Sequence, residues 1–265
     1  MKKKIINILL LLFTVFSYSQ NQKYFEAVYD IYYNTDVPQT KKAKLQVDKI
    51  NKHSIFHIGK TKDNNGGSSV SSSDDGLNYT IQYSDLDRFI EMDFKNSKIY
   101  SKETHRGNVY FVKDSILNLN WNLNYDNEKK IGSLMCKKAT THFRGRDYTA
   151  WYTLEIPLAY GPYKFHGLPG LIASISDSSN TFTWTIASYK IQAEKPDFKY
   201  DKKLEPLISA KKYYSEIRYP SASEQESIVQ SKLPQGIKLI SVTSDAHIRK
   251  GVEIEFEWEK ETKED

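Results

Sequence analysis

The sequence predicts a mainly β fold: a curved, largely antiparallel sheet, an open half-barrel or a sandwich, with minor helical elements near the C-terminus. Three observations carry this. Short runs rich in Tyr, Phe, Ile and Val recur along the chain, several with alternating apolar and polar residues, the period that turns one face of a strand toward a core. Asn, Asp, Gly and Ser separate them at close intervals, the rhythm of a meander whose successive strands lie side by side. Finally, 19 Tyr, 12 Phe and 4 Trp supply large buried areas per side chain. A chain with one cysteine, Cys136, needs that supply, because it cannot close an internal disulfide.

The N-terminus is organised for export. Lys2, Lys3 and Lys4 precede an apolar run from Ile5 to Phe16 broken by Asn7 and Thr14, and Ser17-Tyr18-Ser19 suits cleavage after Ser19. The run is shorter than the roughly 20 residues of a membrane span. Residues 1–19 are therefore expected to be a cleavable signal peptide, and the mature protein to carry no transmembrane span. No cysteine stands at the cleavage point to take a lipid anchor. Loss of the three lysines lowers the formal charge from +5 to +2, with acids scattered among the remaining bases, so nucleic acid is not an expected partner. Residues 20–258 are expected to form one β-rich domain and 259–265 a solvated charged tail.

Taken in order, residues 22–33 form the first β-prone run, ending at residues 34–39 around Pro38. Leu45–Ile50 and Ser54–Ile58 are expected as the second and third strands. His53 and His57 would share a strand face about 13 Å apart, too far for a shared metal. Gly59–Gly76, rich in Gly, Ser, Asn and Asp, is expected as a flexible loop. Leu77–Tyr83, Arg88–Phe94, Lys98–Ser101 and Asn108–Lys113 continue the meander. In Ser115–Asn124, Leu117, Leu119, Trp121 and Leu123 alternate with Asn, which predicts another strand with one packed face. A hairpin arm from Gly132 is expected to turn at Gly145 and return through Tyr148–Leu158, and Gly170–Ser176 to pair with Phe182–Glu194. Beyond Lys195-Pro196, residues 206–212 and 221–233 have helical character, with Ser223 and Glu226 at capping-box spacing. Gly236–Val242 and Val252–Trp258 are expected as strands.

Residues 151–172 are the most unusual stretch, an aromatic strand passing two punctuation points, Gly161-Pro162 and Gly167-Leu168-Pro169-Gly170. These residues predict a rigid corner: a type II turn at Pro169-Gly170, close approach or a positive φ at Gly167, and Leu168, Leu171 and Ile172 clamped in the core. Cys136, His166 and Asp177 have the residue types of a nucleophile, base and orienter, although an inert buried cysteine explains Cys136 equally simply. His105, His142 and His166 with Glu155 or Asp177 lack the closely spaced pair that announces a zinc site, so neither metal nor cofactor is expected. Arg144, Arg146 and Lys164, with Trp151, Tyr163 and His166, form the candidate ligand-binding set, suited to an anionic or carbohydrate-like group. A positive hairpin tip on an ordinary sheet is the alternative.

Gly167-Leu168-Pro169-Gly170-Leu171-Ile172, with Gly161-Pro162-Tyr163-Lys164-Phe165, Ala150-Trp151-Tyr152-Thr153, Cys136-Lys137-Lys138-Ala139, Gly145-Arg146 and Asp177, resembles the GLPGLI family. These are exported proteins of uncharacterised function from Bacteroidetes. The resemblance implies export to the envelope, and brings no catalytic residue, substrate or cofactor. The leading functional expectation is a periplasmic or envelope-associated protein that binds a hydrophobic, amphipathic or lipid-like partner on a curved sheet, with peripheral membrane association. The arrangement is similar to bacterial lipoprotein-carrier folds by analogy. The alternatives are a protein-interaction or structural component of envelope machinery, and a Cys136/His166-dependent hydrolase.

Overall fold

The computed structural model describes residues 23–36, 38–60, 67–73, 76–82, 86–192, 194, 195, 206–221, 223, 227, 230, 231 and 249–260. Twelve strands form one sheet: β1 (Tyr24–Tyr33), β2 (Gln39–Asp48), β3 (His53–Ile58), β6 (Arg88–Asp93), β7 (Lys98–His105), β8 (Asn108–Ser115), β9 (Glu128–Ile131), β10 (Leu134–Phe143), β11 (Arg146–Thr153), β12 (Leu171–Asp177), β13 (Phe182–Gln192) and β14 (Leu207–Ser209). Their order is β14-β8-β7-β6-β3-β2-β1-β13-β12-β11-β10-β9. All neighbours are antiparallel except β14, which joins β8 in parallel. A separate hairpin pairs β4 (Gly67–Ser73) with β5 (Gly76–Gln82).

β1 shows why these segments become strands. Phe25, Ala27, Tyr29, Ile31 and Tyr33 are all buried, while the residues between them are half-buried or exposed. That alternation leaves the strand no low-energy register but the one that turns the apolar set inward. Flanked by β2 and β13 over its full length, β1 is central.

The sheet is strongly curved but open. β8 and β11 are eight places apart in the strand order, roughly 38 Å on a flat sheet at the usual strand spacing. Yet Arg144, in the turn between β10 and β11, touches Asp114 at the end of β8 at 2.7 Å. The outermost strands, β14 and β9, do not pair with each other, so the barrel is incomplete. A helical turn, Ala210–Lys212, continues into a π-helical turn, Tyr213–Arg218. It packs on β8 through a small second cluster of Val112, Ala210, Tyr213, Tyr214 and Phe256.

The concave face is filled by the chain's own corner. Residues 154–170, between β11 and β12, place Phe165 and Leu168 in the main core. Phe165 packs on Tyr148, Phe143 and Trp184 with centroid distances of 4.7, 5.6 and 5.7 Å. Burying each such side chain stabilises the fold by about 1.5–3 kcal/mol. Tyr29 on β1 donates its hydroxyl to the Ile172 carbonyl at 2.6 Å, fastening the corner to the sheet centre. The sheet is thus the wall of a core, not an open apolar trough.

Several expectations change. Pro169-Gly170 does not form a type II turn, because Gly170 lacks the positive φ that turn requires. Gly170 is needed for proximity instead: a Cβ there would stand 2.0 Å from the Thr153 carbonyl oxygen. Gly167 does take a positive φ, +89°. Residues 116–124 are not a strand. They make one isolated bridge, Asn122 to Thr140, and Asn120 turns to φ 41°. Residues 252–258 are not a strand either, since their amides at Ile254 and Glu255 both bond to the Arg144 carbonyl. Part of the expected 59–76 loop pairs as the β4–β5 hairpin, whose backbone bonds need no apolar side chains. Of the 206–212 helix, residues 207–209 form β14. The signal segment 1–19, the 236–242 strand, most of 221–233, including Glu226, and the tail from 261 lie outside the described residues.

Candidate functional site

Two features meet where the corner, the β10–β11 turn and residues 249–260 converge. The first is a buried charge cluster. Arg144 and Gly145 have φ 44° and 85°, the signature of a two-residue type I′ hairpin turn, and this aims Arg144 into the interior. Its guanidinium holds Asp114 through two bonds, 2.7 and 3.1 Å, and Glu257 through two more, both 3.1 Å. It also donates to Glu253. Lys164 reaches Asp114 at 3.0 Å and Glu253 at 2.7 Å, and the Tyr163 hydroxyl donates to Glu253.

Burial works against every charge here, raising the acids and lowering the bases. For Glu253 and Asp114 that effect is overcome by Lys164 and Arg144, which hold both carboxyls below their usual range. In return, Glu253 and Asp114 hold the Lys164 ammonium above its usual value. Arg144 and Lys164 balance Asp114 and Glu253, with Glu257 partly exposed beside them. Such a cluster adds little net stability over an apolar replacement but costs heavily when one member is removed. Tyr163 sits at φ 57°, unusual for a bulky residue. That conformation stacks its ring on Trp184 at 5.7 Å while its hydroxyl meets Glu253.

The second feature is a cavity of about 250 Å³ bordering this cluster. Tyr33, Tyr163, Tyr213, Tyr214, Tyr219 and Phe182 supply its aromatic wall, and Arg88, Glu103, Arg218, Lys250 and Glu253 its charges. Arg88 lies 3.8 Å from Glu103. Burial pushes the Glu103 carboxyl up against the pull of Arg88. Glu103 and Glu253 both line the cavity, the first carboxyl raised and the second lowered. Both oxygens of Glu253 are already engaged by the cluster, so its anion is structural.

Of the residues singled out in the sequence, Arg144, Tyr163 and Lys164 come together at Glu253. Arg146 is adjacent: it donates to the Gly251 carbonyl at 3.0 Å and pairs with Asp177 at 3.1 Å. Lys164 is not at the mouth of the corner but buried in the ion pairs. Trp151 stands apart, on the face of β11 opposite Tyr148 and Ala150, with Lys129 5.5 Å above its ring. His166 packs edge-on to Phe94 and uses Nδ1 to donate to the Lys164 carbonyl. Burial lowers its imidazole, against that bond.

Cys136 is buried on β10, with Sγ 3.7 Å from the Leu134 carbonyl oxygen. Burial, with Glu155 adding to it, pushes the thiol up to about 11, the reverse of an activated nucleophile. Asp177 serves the β12–β13 turn, accepting from the Phe182 amide at 2.8 Å and the Ser179 hydroxyl at 2.5 Å. These three residues therefore have separate local partners. Among the described residues, no three His, Cys, Asp or Glu gather as metal ligands, and no helix is long and apolar enough to cross a membrane.

Sequence reasoning missed Asp114, Glu253, Glu103, Arg88 and the tyrosines at 213, 214 and 219. Glu253 was concealed by its neighbours: Glu253, Glu255 and Glu257 alternate with Val252, Ile254, Phe256 and Trp258, which suggests a polar outer face. In the fold Glu253 is buried and Glu255 exposed. The available signal was the tyrosine pair Tyr213-Tyr214 with Tyr219 in an otherwise polar segment.

A family model described as a protein of unknown function (Porph_ging) matches residues 143–174. That span runs from the β10–β11 turn through the corner into β12 and contains Arg144, Tyr163 and Lys164. No curated protein matches the sequence significantly. Among solved structures, PNGF-II in its P21 crystal form aligns with a TM-score of 0.46 and 16% identity over 72% of this chain. In its C2 form the values are 0.45 and 13%. The chain spans about a third of the PNGF-II length, 32%. An uncharacterized conserved protein from Thermus thermophilus aligns with a TM-score of 0.40 and 8% identity, over 72% of this chain and 93% of its own.

Proposed function

We propose that this protein is exported to the cell envelope and there binds a small amphipathic ligand in the tyrosine-walled cavity. The observation that carries this reading is the cavity itself: about 250 Å³, lined by Tyr33, Tyr163, Tyr213, Tyr214, Tyr219 and Phe182 together with charged side chains. Ligand sites combine apolar enclosure with a few placed polar groups, and this volume lies just below the roughly 300–1,000 Å³ of drug-sized sites, which suits a small occupant. The corner occupies the concave face, so the binding expected of the curved sheet moves to the cavity at its end. An occupant would present a ring or apolar face to the tyrosines and its polar groups to the charges. Export is supported by the Lys2–Lys4, Ile5–Phe16 and Ser17–Ser19 pattern.

The test is native purification from an envelope fraction, followed by mass analysis of small molecules released on denaturation. A single compound retained by the native protein and lost in Tyr213→Ala and Tyr219→Ala supports the reading. Retention unchanged in both variants, or no retained compound and no binding of added ring-bearing amphiphiles, sinks it. N-terminal sequencing of the same material should begin at Gln20, and an intact Met1 would remove the export part.

A second reading, a protein-interaction component, rests on the edge of β13. β12 pairs with this strand only at Thr183–Thr185, although β13 continues to Gln192 with Tyr189 and Ile191 exposed. An exposed edge can receive an extended segment of another protein. Co-purification of one stoichiometric partner, abolished by Ser188→Pro, would favour it over the ligand reading.

A further inference from the structure

The charges around the cavity are not equally committed. Glu253 is held by Arg144, Lys164 and Tyr163. Arg88 faces Glu103 at 3.8 Å, and Lys250 pairs with Asp36 at 2.8 Å. Arg249, behind the wall, is neutralised by Glu259 at 2.7 Å. Arg218 is different. Among the described residues no carboxylate lies within ion-pair distance of it, and its partners are neutral: the ring of Tyr219, 5.5 Å from its guanidinium carbon, and Nδ1 of His105, which accepts from Nη1 at 3.0 Å.

Those two contacts leave its charge uncompensated. The Tyr219 ring lies within cation–π range, and the bond to His105 uses one of five N–H donors. His105 in turn stays uncharged. Burial, then the Arg218 and Arg106 charges, lower its imidazole to about 4, and accepting at Nδ1 leaves the proton on Nε2. That Nε2 is buried and has no hydrogen-bond partner. On β7 His105 directly follows the cavity-lining residues Glu103 and Thr104. A cation with no acidic partner among the described residues therefore lines an aromatic cavity whose other cations are paired.

We infer that the ligand of this cavity carries an anionic group, a carboxylate or phosphate, that docks on the Arg218 guanidinium while its ring stacks on the tyrosine wall. This rests on the reading of the cavity as a ligand site and assigns the charge class of its occupant. Planar fork-to-oxyanion pairing is the geometry for which arginine is suited, and the bonds are charge-assisted. Arg218 itself is exposed, so the interaction is one that salt weakens.

The test compares three molecules of nearly the same size and different charge: 4-hydroxyphenylacetate, 2-(4-hydroxyphenyl)ethanol and tyramine. Each is titrated by calorimetry into the mature protein and into Arg218→Gln. The acid should bind about tenfold more tightly than the alcohol and tyramine most weakly. The advantage of the acid should shrink with added salt. In Arg218→Gln the acid should lose its advantage over the alcohol. Equal binding of acid and alcohol, tightest binding of tyramine, or an acid preference that survives Arg218→Gln would overturn the anion assignment and leave the cavity reading standing. No binding by any of the three overturns both.

Discussion

Arg144, at the tip of the β10–β11 hairpin, clasps Asp114 at the end of β8 through two bonds of 2.7 and 3.1 Å, joining parts of one sheet that are eight strand places apart. The clasp closes the curvature without closing the barrel. Its partners Lys164 and Glu253 bring the corner and the C-terminal segment to the same point.

Removing the guanidinium should therefore be costly. Arg144→Met leaves Asp114 and Glu253 with Lys164 alone against two buried carboxylates, and a broken buried pair costs about 3–5 kcal/mol. Urea unfolding should show a loss of that size, whereas Lys42→Met, at the exposed Lys42–Asp30 pair, should change stability by less than about 1 kcal/mol. Equal small effects would mean that the cluster is not a structural tie.

Gly170 in the corner and Gly132 in the β9–β10 turn separate two kinds of constraint. At Gly170 an added methyl group meets the Thr153 carbonyl carbon and oxygen, both backbone atoms that cannot rotate away. At Gly132 the φ is +59° but nothing lies within 4 Å of an added Cβ. Gly132→Ala should cost about 1–2 kcal/mol, the left-handed penalty alone. Gly170→Ala should cost about 3 kcal/mol or more through overpacking and should lower the yield of folded protein. Thermal melts of the two variants in parallel check the ordering.

Cys136 should be silent in the native state. Its burial and raised thiol predict that a disulfide reagent at pH 8 modifies it only as fast as the protein unfolds. Adding denaturant should accelerate the reaction in step with the unfolding transition. Rapid labelling without unfolding would restore the case for a reactive thiol.

Stability should fall in two stages on acidification. His105 has a folded-state value of about 4 against an ordinary 6.5. A lowered group stabilises the fold above its unfolded value, and that contribution drains away between pH 6.5 and about 4. Asp114 and Glu253, lowered carboxyls, contribute above the unfolded carboxylate value of about 4 and lose that contribution as pH falls below it. Urea midpoints measured from pH 7.5 to 3 should thus decline first gently and then steeply. His105→Gln should flatten the upper stage and leave the lower one.

Much of the strand pattern was legible in the sequence, because a strand's two-residue period is written directly in residue order. The β-prone run expected over residues 22–33 holds β1, Tyr24–Tyr33, and the β10–β11 hairpin turns at Gly145 as expected. The failures have a common cause. Residues 117–123 and 252–258 carry the same alternation but, among the described residues, build no ladder with a neighbouring strand beyond the single Asn122–Thr140 bridge. Thr141 instead donates to the Leu119 carbonyl, Trp121 to the His166 carbonyl, and the Arg144 carbonyl takes two amides from the C-terminal segment. Alternation reports which residues can face a core, whereas pairing depends on what lies alongside.

The candidate site was only half visible. Arg144, Tyr163 and Lys164 stand out as bases and an aromatic near a Gly/Pro corner, but their anions, Asp114 and Glu253, lie 30 and 109 residues from Arg144, where nothing local marks them. By itself the sequence determined that the chain builds an aromatic, largely antiparallel sheet and that residues 161–170 make a corner, since dihedral preference and side-chain period act over a few residues. Only the tertiary structure decided that this corner fills the sheet's concave face, that Lys164 is an interior ion and not a rim contact, and that a tyrosine cavity remains beside it. Those outcomes depend on desolvation and charge pairing between segments that meet only when the sheet curves.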